Sequence, residues 1–215
     1  MSEYRRQRQV FDNLLKNFKP DRAVTSGPAR EKPDNILVNL NIPIAQPVLG
    51  EMESVIADLN RKAPGHRPEE EHHLTIRAIA DMAPPADNDV LHQWTATATQ
   101  IINQHKPFEV EVRGISTFPN VAFAGVFVPP EFMELHQALL GALPSRRPDQ
   151  EGSHMVPHAA IIYYTHPPFD LMPHLAKLKN HSFGKFTVSE FKLEGRSIGL
   201  NHNTHYPFST ISFSR

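Results

Sequence analysis

Two histidines set in apolar, strand-forming runs are the residues of this chain best suited to chemistry. The first run reads His73-Leu74-Thr75-Ile76 and the second His158-Ala159-Ala160-Ile161, 85 positions further on. Side chains alternate faces along a strand, so His73 and Thr75 share one face while Leu74 and Ile76 take the other. An imidazole titrates near pH 6.5 and serves as acid or base at neutral pH. A hydroxyl beside it can donate to a charged oxygen, so the pair suits holding a phosphate and moving a proton next to it. The second run repeats the plan with Ala160 where a hydroxyl is expected. The same alternation puts Arg77 on the His73 face and Tyr164 on the His158 face, with Tyr163 opposed, and sends His72 away from His73. Arg77 and Tyr164 are therefore candidates for substrate contact, and Phe123 for stacking on a base. Each has a plain alternative: a rim salt bridge for Arg77, core packing for Phe123, and an inert packed ring for either histidine.

Strands and helices must bring those residues together. Residues 2–18 predict an amphipathic helix, with Ser2 at its N-cap and Tyr4, Val10, Phe11, Leu14, Leu15 and Phe18 as its apolar stripe. Residues 19–34, with Pro20, Gly27, Pro28 and Pro33, read as a linker. Strands are then expected over 36–42, 73–80, 108–115, 121–128, 158–164, 186–193 and 208–213, and helices over 48–59, 90–102, 131–143 and 171–178. A shift of 85 positions carries residue 36 to 121, 73 to 158 and 123 to 208, each onto a similar element. That order implies an α+β fold of two pseudo-symmetric lobes facing each other across a groove, one histidine from each. The organisation is thus an N-terminal helix and Pro-rich linker over 1–34, followed by a two-lobed domain over 35–215.

Bulk properties narrow the function. A formal net charge of −1 gives no field to recruit long nucleic acid or an anionic membrane. The chain has no cysteine, which excludes disulfides, thiolate zinc sites and a cysteine nucleophile. No stretch approaches a membrane span and the N-terminus lacks an apolar leader, so the cytoplasm is the expected compartment. Rival constellations are weak. His154 and His158 are four apart, but Pro157 prevents the helix that would align them, and His202 and His205 have no carboxylate close in sequence. Arg146 and Arg147 precede the second histidine run, where they could screen an anion or simply be solvated. A Gly-rich phosphate loop, a dinucleotide fingerprint and a serine nucleophile elbow are all missing. No metal or cofactor is expected.

Taken in order, His73-x-Thr75-Ile76, the strand 108–115 followed by Phe118-Pro119, Pro157-His158 before an apolar strand, and Phe183-Gly184-Lys185-Phe186-Thr187-Val188 resemble the two-histidine (2H) phosphoesterases. This superfamily includes the 2′-5′ RNA ligase-like proteins and cyclic nucleotide phosphodiesterases. The resemblance runs over roughly 36–213. It implies antiparallel sheets lining a central groove with helices outside, and metal-independent chemistry on a 2′,3′-cyclic phosphate, a 2′,5′-linked oligonucleotide or an RNA end. It also implies His73 and His158 as the acid–base pair and Thr75 as a phosphate ligand. Ala160 departs from the second motif. A weakened enzyme and a non-catalytic binder of a nucleotide or RNA end both remain open on this reading.

Overall fold

The computed structural model describes residues 3–25, 35–146, 155–198 and 203–214. Within them lie α1 (Glu3–Asn17), β1 (Ile36–Pro43), α2 (Val48–Lys62), β2 (Arg67–Pro68), β3 (His73–Met82) and α3 (Asn88–Ile102). There follow β4 (Phe108–Phe118), β5 (Val121–Phe127), α4 (Pro130–Ala142), β6 (His158–Tyr163), α5 (Met172–Lys177), β7 (Ser182–Val188), β8 (Glu190–Ile198) and β9 (Asn203–Ser212). Local chemistry sets several of these boundaries. The Asp87 side chain accepts hydrogen bonds from the Asp89 and Val90 amides, so α3 starts two residues before its apolar pattern does. Pro130 opens α4 from a position where a missing amide hydrogen is harmless. No helix among the described residues is long and apolar enough to cross a membrane.

The strands form one curled antiparallel sheet in the order β7-β4-β5-β6-β3-β1-β8-β9, with β2 on β6. Its centre is the β6–β3 contact, where Leu74 pairs with Ala159. One half of the sheet is β3-β1-β8-β9 and the other is β6-β5-β4-β7. In each half the histidine strand lies innermost, with β1 beside β3 as β5 lies beside β6. Residue pairing sharpens the repeat: Ile42 faces Leu74 and Ala124 faces Ala159, so β3 recurs after 85 residues but β1 after 82. The third coincidence, 123 with 208, is not a repeat, because β5 flanks a histidine strand whereas β9 is a sheet edge.

The single strand expected over 186–193 is two strands with different neighbours. β7 pairs with β4 at one end of the sheet, and after Ser189 the chain enters β8 between β1 and β9 in the other half. The pattern carries the reason. Buried Phe186 and Val188 are even-numbered and buried Phe191 and Leu193 odd-numbered, so the alternation slips at the crossing.

Helices α2 to α5 cover one face of the sheet. The apolar core there takes Val38, Leu40 and Ile42 from β1, Leu74 and Ile76 from β3, Ala122, Ala124 and Val126 from β5, Met52 and Leu59 from α2, and Phe132 and Leu139 from α4. Helix α1 lies on the opposite face. Its Phe11 ring packs on Phe123 and Phe127, with centroids 5.0 and 5.8 Å away. A side chain at Gly125 would strike that ring. Gln7 is buried with Phe11 and accepts a hydrogen bond from the Val128 amide, while Val10, expected in the apolar stripe, is exposed. The Ser116 hydroxyl donates to the Phe11 carbonyl and Arg8 bonds the Asn180 side chain. Residues 26–34 of the expected linker, with Arg147, His154 and His202, lie outside the described residues.

Candidate active site

Two bulges decide which side chains enter the groove. On β3 the pairing with β1 runs Asn41 to Thr75, then Leu40 to Arg77, leaving Ile76 as an extra residue. On β6 the pairing with β5 runs Phe123 to Ala160, then Ala122 to Ile162, leaving Ile161 extra. Each bulge sits three residues after a histidine, so the pseudo-symmetry extends to this irregularity. A bulge inserts one residue and reverses the faces beyond it. Upstream of it, His73, Thr75, His158 and Ala160 all stay on the face away from the helix-covered core. Antiparallel register about Leu74 and Ala159 sets His73 across from Ala160 and Thr75 across from His158.

Downstream of the bulge, simple alternation fails for two of the expected residues. Arg77 turns into the core beside Leu40, 2% exposed, and donates a 2.6 Å hydrogen bond to the Leu143 carbonyl at the end of α4. Its counterpart in the other half is Ile162, an apolar core residue. Arg77 does not share the face of His73. Tyr164 is also turned inward, fully buried with its hydroxyl bonded to Thr117. Tyr163 takes the groove side instead and donates to Glu69 at 3.0 Å. Phe123 is on the groove face next to Ala160, but it is wholly buried between Phe11 and Phe118 and offers no open ring to a base.

The imidazole of His158 is held edge-on to Phe118 and Phe123, with centroids 4.9 and 5.2 Å away. Its Nδ1 lies 2.8 Å from the Val156 carbonyl. A carbonyl only accepts, so Nδ1 carries the proton and Nε2 keeps its lone pair when the ring is neutral. Burial pulls its proton affinity below the ordinary histidine value; the Val156 carbonyl opposes that, and the charge of nearby His73 adds to it. His73 is also pulled down, chiefly by burial. Glu194 and Glu69 favour its protonated form, Arg196 disfavours it and the Glu71 backbone favours it. His73 Nδ1 is buried with no hydrogen bond of ordinary geometry.

The two halves of the groove differ in character. Beside Thr75 stands Asn41, which donates to Glu194 at 2.6 Å. Beneath them Glu69, its side chain 1% exposed, accepts from Arg196 at 2.9 Å. By the 82-residue offset, Phe123 stands in the second half where Asn41 stands in the first, just as Ala160 stands for Thr75. One half is thus polar and the other apolar around a single imidazole. A cavity of about 730 Å³ opens beside His73, lined by Asn41, His72, Lys192, Glu194 and His205 among others. His72, expected to face away, reaches this cavity with Nδ1 3.3 Å from the Ala160 carbonyl. Asn41, Glu69, Glu194 and Arg196 were not among the expected site residues, and Phe118 was marked only as part of the Phe118-Pro119 motif. The alternation Lys192, Glu194, Arg196 was a usable signal for a polar strand face, whereas nothing local marks Glu69.

The same burial sets the acid stability of the fold. His66, His73, His136 and His158 are all shifted down by burial as the largest cause. The unfolded chain therefore binds more protons below about pH 6.5. Stability should be full above that pH and fall as the pH drops, by up to about 1.4 kcal/mol per pH unit for each additional proton. Urea unfolding at pH 7.5, 6.5 and 5.5 measures this, and equal midpoints at all three would contradict it.

Comparison with known proteins places this geometry. The model of the 2′-5′ RNA ligase superfamily matches residues 46–197, more than half of the chain, and leaves α1 outside. No curated protein matches in sequence. Among solved structures, E. coli LigT in complex with 3′-AMP is similar at a TM-score of 0.57 and 14% identity, over 84% of this chain and 99% of that one. TT0787 of Thermus thermophilus is similar at 0.64 and 16%, over 82% and 97%. E. coli LigT with phosphate is similar at 0.54 and 13%, over 85% and 99%. A curled antiparallel sheet with a histidine on each of its two central strands is common ground between the motif reading and the family match: the chain belongs to the 2′-5′ RNA ligase superfamily of two-histidine phosphoesterases.

Proposed function

We propose that this protein is a metal-independent phosphodiesterase that opens a cyclic phosphate or a short 2′-linked oligonucleotide. The observation that carries the reading is the Leu74–Ala159 pairing, which puts both histidines on one face of adjacent strands. His158 is the base, because its Nδ1 proton is committed to Val156 and its Nε2 lone pair is available. His73 is the acid, because Glu194 and Glu69 partly offset the lowering that burial imposes on it, an offset no carboxylate gives His158. Water forms the new bond to phosphorus and gives its proton to His158. The bond from phosphorus to a ribose oxygen breaks, and His73 protonates that oxygen. Thr75 donates to a non-bridging oxygen, where charge grows in the transition state. Glu53, Glu70, Glu71 and Glu194 line the adjoining cavity and disfavour a long polyanion, and its volume of about 730 Å³ is that of a small-molecule site. The 3′-AMP complex of E. coli LigT agrees with a ligand of that size.

A second reading, capture of a nucleotide without turnover, draws on Ala160 and on Phe11 and Phe123 closing the apolar half. One assay separates the two: hydrolysis of 2′,3′-cyclic nucleotides in excess EDTA by the parent and by Ala160→Thr. Turnover by the parent, raised at least about tenfold by the restored hydroxyl, is expected, within the 10²–10³-fold that one oxyanion donor can supply. Tight binding with no turnover in either protein would establish the binder instead.

A further inference from the structure

A second cluster lies beyond the far end of β6 from His158. His66 precedes β2, and His166 and Asp170 follow β6. One ligand atom from each, nitrogen, nitrogen and oxygen, fall within 4.8 Å of one another. His66 Nε2 is 3.4 Å from Asp170 Oδ1, and His166 Nε2 is 3.9 Å from the same oxygen. In a tetrahedral zinc site with bonds near 2.1 Å, ligand atoms stand roughly 3.4 Å apart, so two of the three edges are already near that length.

The protonation pattern points the same way. The Thr165 hydroxyl donates its only proton to the Gly65 carbonyl at 2.6 Å. At 3.1 Å from His166 Nδ1 it must therefore accept from that nitrogen. His166 then holds its proton on Nδ1 and presents the Nε2 lone pair to a carboxylate oxygen, an acceptor facing an acceptor. Such a contact is favourable only with a second ring proton or a metal cation between them. A partner on the remote nitrogen is also the arrangement that orients histidine ligands in metal sites. His66, with its side chain 1% exposed, has a buried Nδ1 with no partner; His166 is stacked on it at a centroid distance of 4.0 Å and must turn out of the stack for both in-plane lone pairs to meet one ion. His166 and Asp170 are half exposed and free to close on an ion; His66 is the anchored member.

We propose that His66 Nε2, His166 Nε2 and Asp170 bind one Zn²⁺ ion, with water completing the shell. Two imidazoles and a carboxylate are the donor set that zinc favours over Mg²⁺ or Ca²⁺. The ion ties the segment after α2 to the segment after β6, three residues before Glu69 reaches the groove. This is a clip and takes no part in the groove chemistry, so it stands whether or not the proposed activity does.

The test uses the full chain, stripped with a chelator and titrated with Co²⁺ and then Zn²⁺. One equivalent should bind, with a visible cobalt band that zinc displaces, and zinc should raise the melting temperature. His166→Gln and Asp170→Asn, both at half-exposed positions, should each weaken binding about a hundredfold or more while melting as the metal-free parent does. Thr165→Val should weaken it about 10–100-fold, the usual effect of losing an outer partner. Exposed His92→Gln should bind as the parent does. Failure of the parent to bind one equivalent, or parental affinity in both His166→Gln and Asp170→Asn, would overturn the assignment.

Discussion

Replacing His158 by asparagine should lower turnover of a cyclic nucleotide by about 10²–10⁴-fold, the share of a well-placed proton transfer. Asparagine keeps a short donor for the Val156 carbonyl, which His158 Nδ1 now satisfies at 2.8 Å, and removes the outward nitrogen together with the ring edge packed on Phe118 and Phe123. The urea midpoint of the variant separates loss of rate from loss of fold. His73→Ala should lose rate on the same scale. The pH profiles distinguish the two roles. A bell-shaped parent profile reports the pair as a unit. Without the base, the rise on the acid side should flatten; without the acid, the fall on the alkaline side should. Parental rates in both variants would remove the histidines from the mechanism, and matched limbs in the wrong order would exchange their roles.

The largest expected effect on stability is at Glu69. Its carboxylate is buried beneath the groove against Arg196, which is itself only 15% exposed, and Tyr163 donates to the same oxygen. Burial pushes the carboxyl up. The Arg196 guanidinium, the Tyr163 hydroxyl and His73 together outweigh that and hold it below its ordinary value. Glu69→Ala strands the Arg196 charge and should destabilise the fold by about 3–5 kcal/mol, read from urea midpoints. Glu69→Leu combined with Arg196→Met should recover most of the loss, since a buried pair replaced by packed apolar groups is often neutral or better. If the double variant is as unstable as the single one, the loss is not electrostatic. Glu69 also favours protonation of His73. Neutralising it should therefore move the alkaline limb of any activity profile to lower pH.

Element types were legible from periodicity because burial of one face imposes it. The helices at 48 and 131, the strands at 36, 73, 108 and 158, and the repeat linking the two histidine runs all follow from that rule. Alternation extended too far misleads. Counting in twos across positions 76 and 161 misplaces Arg77 and Tyr164, because each count crosses a bulge. Ile-Arg and Ile-Ile give no local warning of an extra residue, because the bulge is set by pairing with β1 and β5. The crossing at Ser189 did leave a trace, a slip in the parity of buried residues from Phe186 and Val188 to Phe191 and Leu193.

What the chain by itself determined were the two histidines, the hydroxyl at Thr75, its absence at Ala160 and the strands that carry them. Such features depend on residue type and on spacings of two to four, which the backbone geometry of a single strand or helix interprets directly. Only the tertiary structure decided that α1 lies on the groove face, that Glu69 meets Arg196 across 127 positions, and that His66 and His166, 100 apart, stack on one another. Those meetings arise where the sheet closes on itself and segments distant in sequence share one volume, a condition no local pattern encodes.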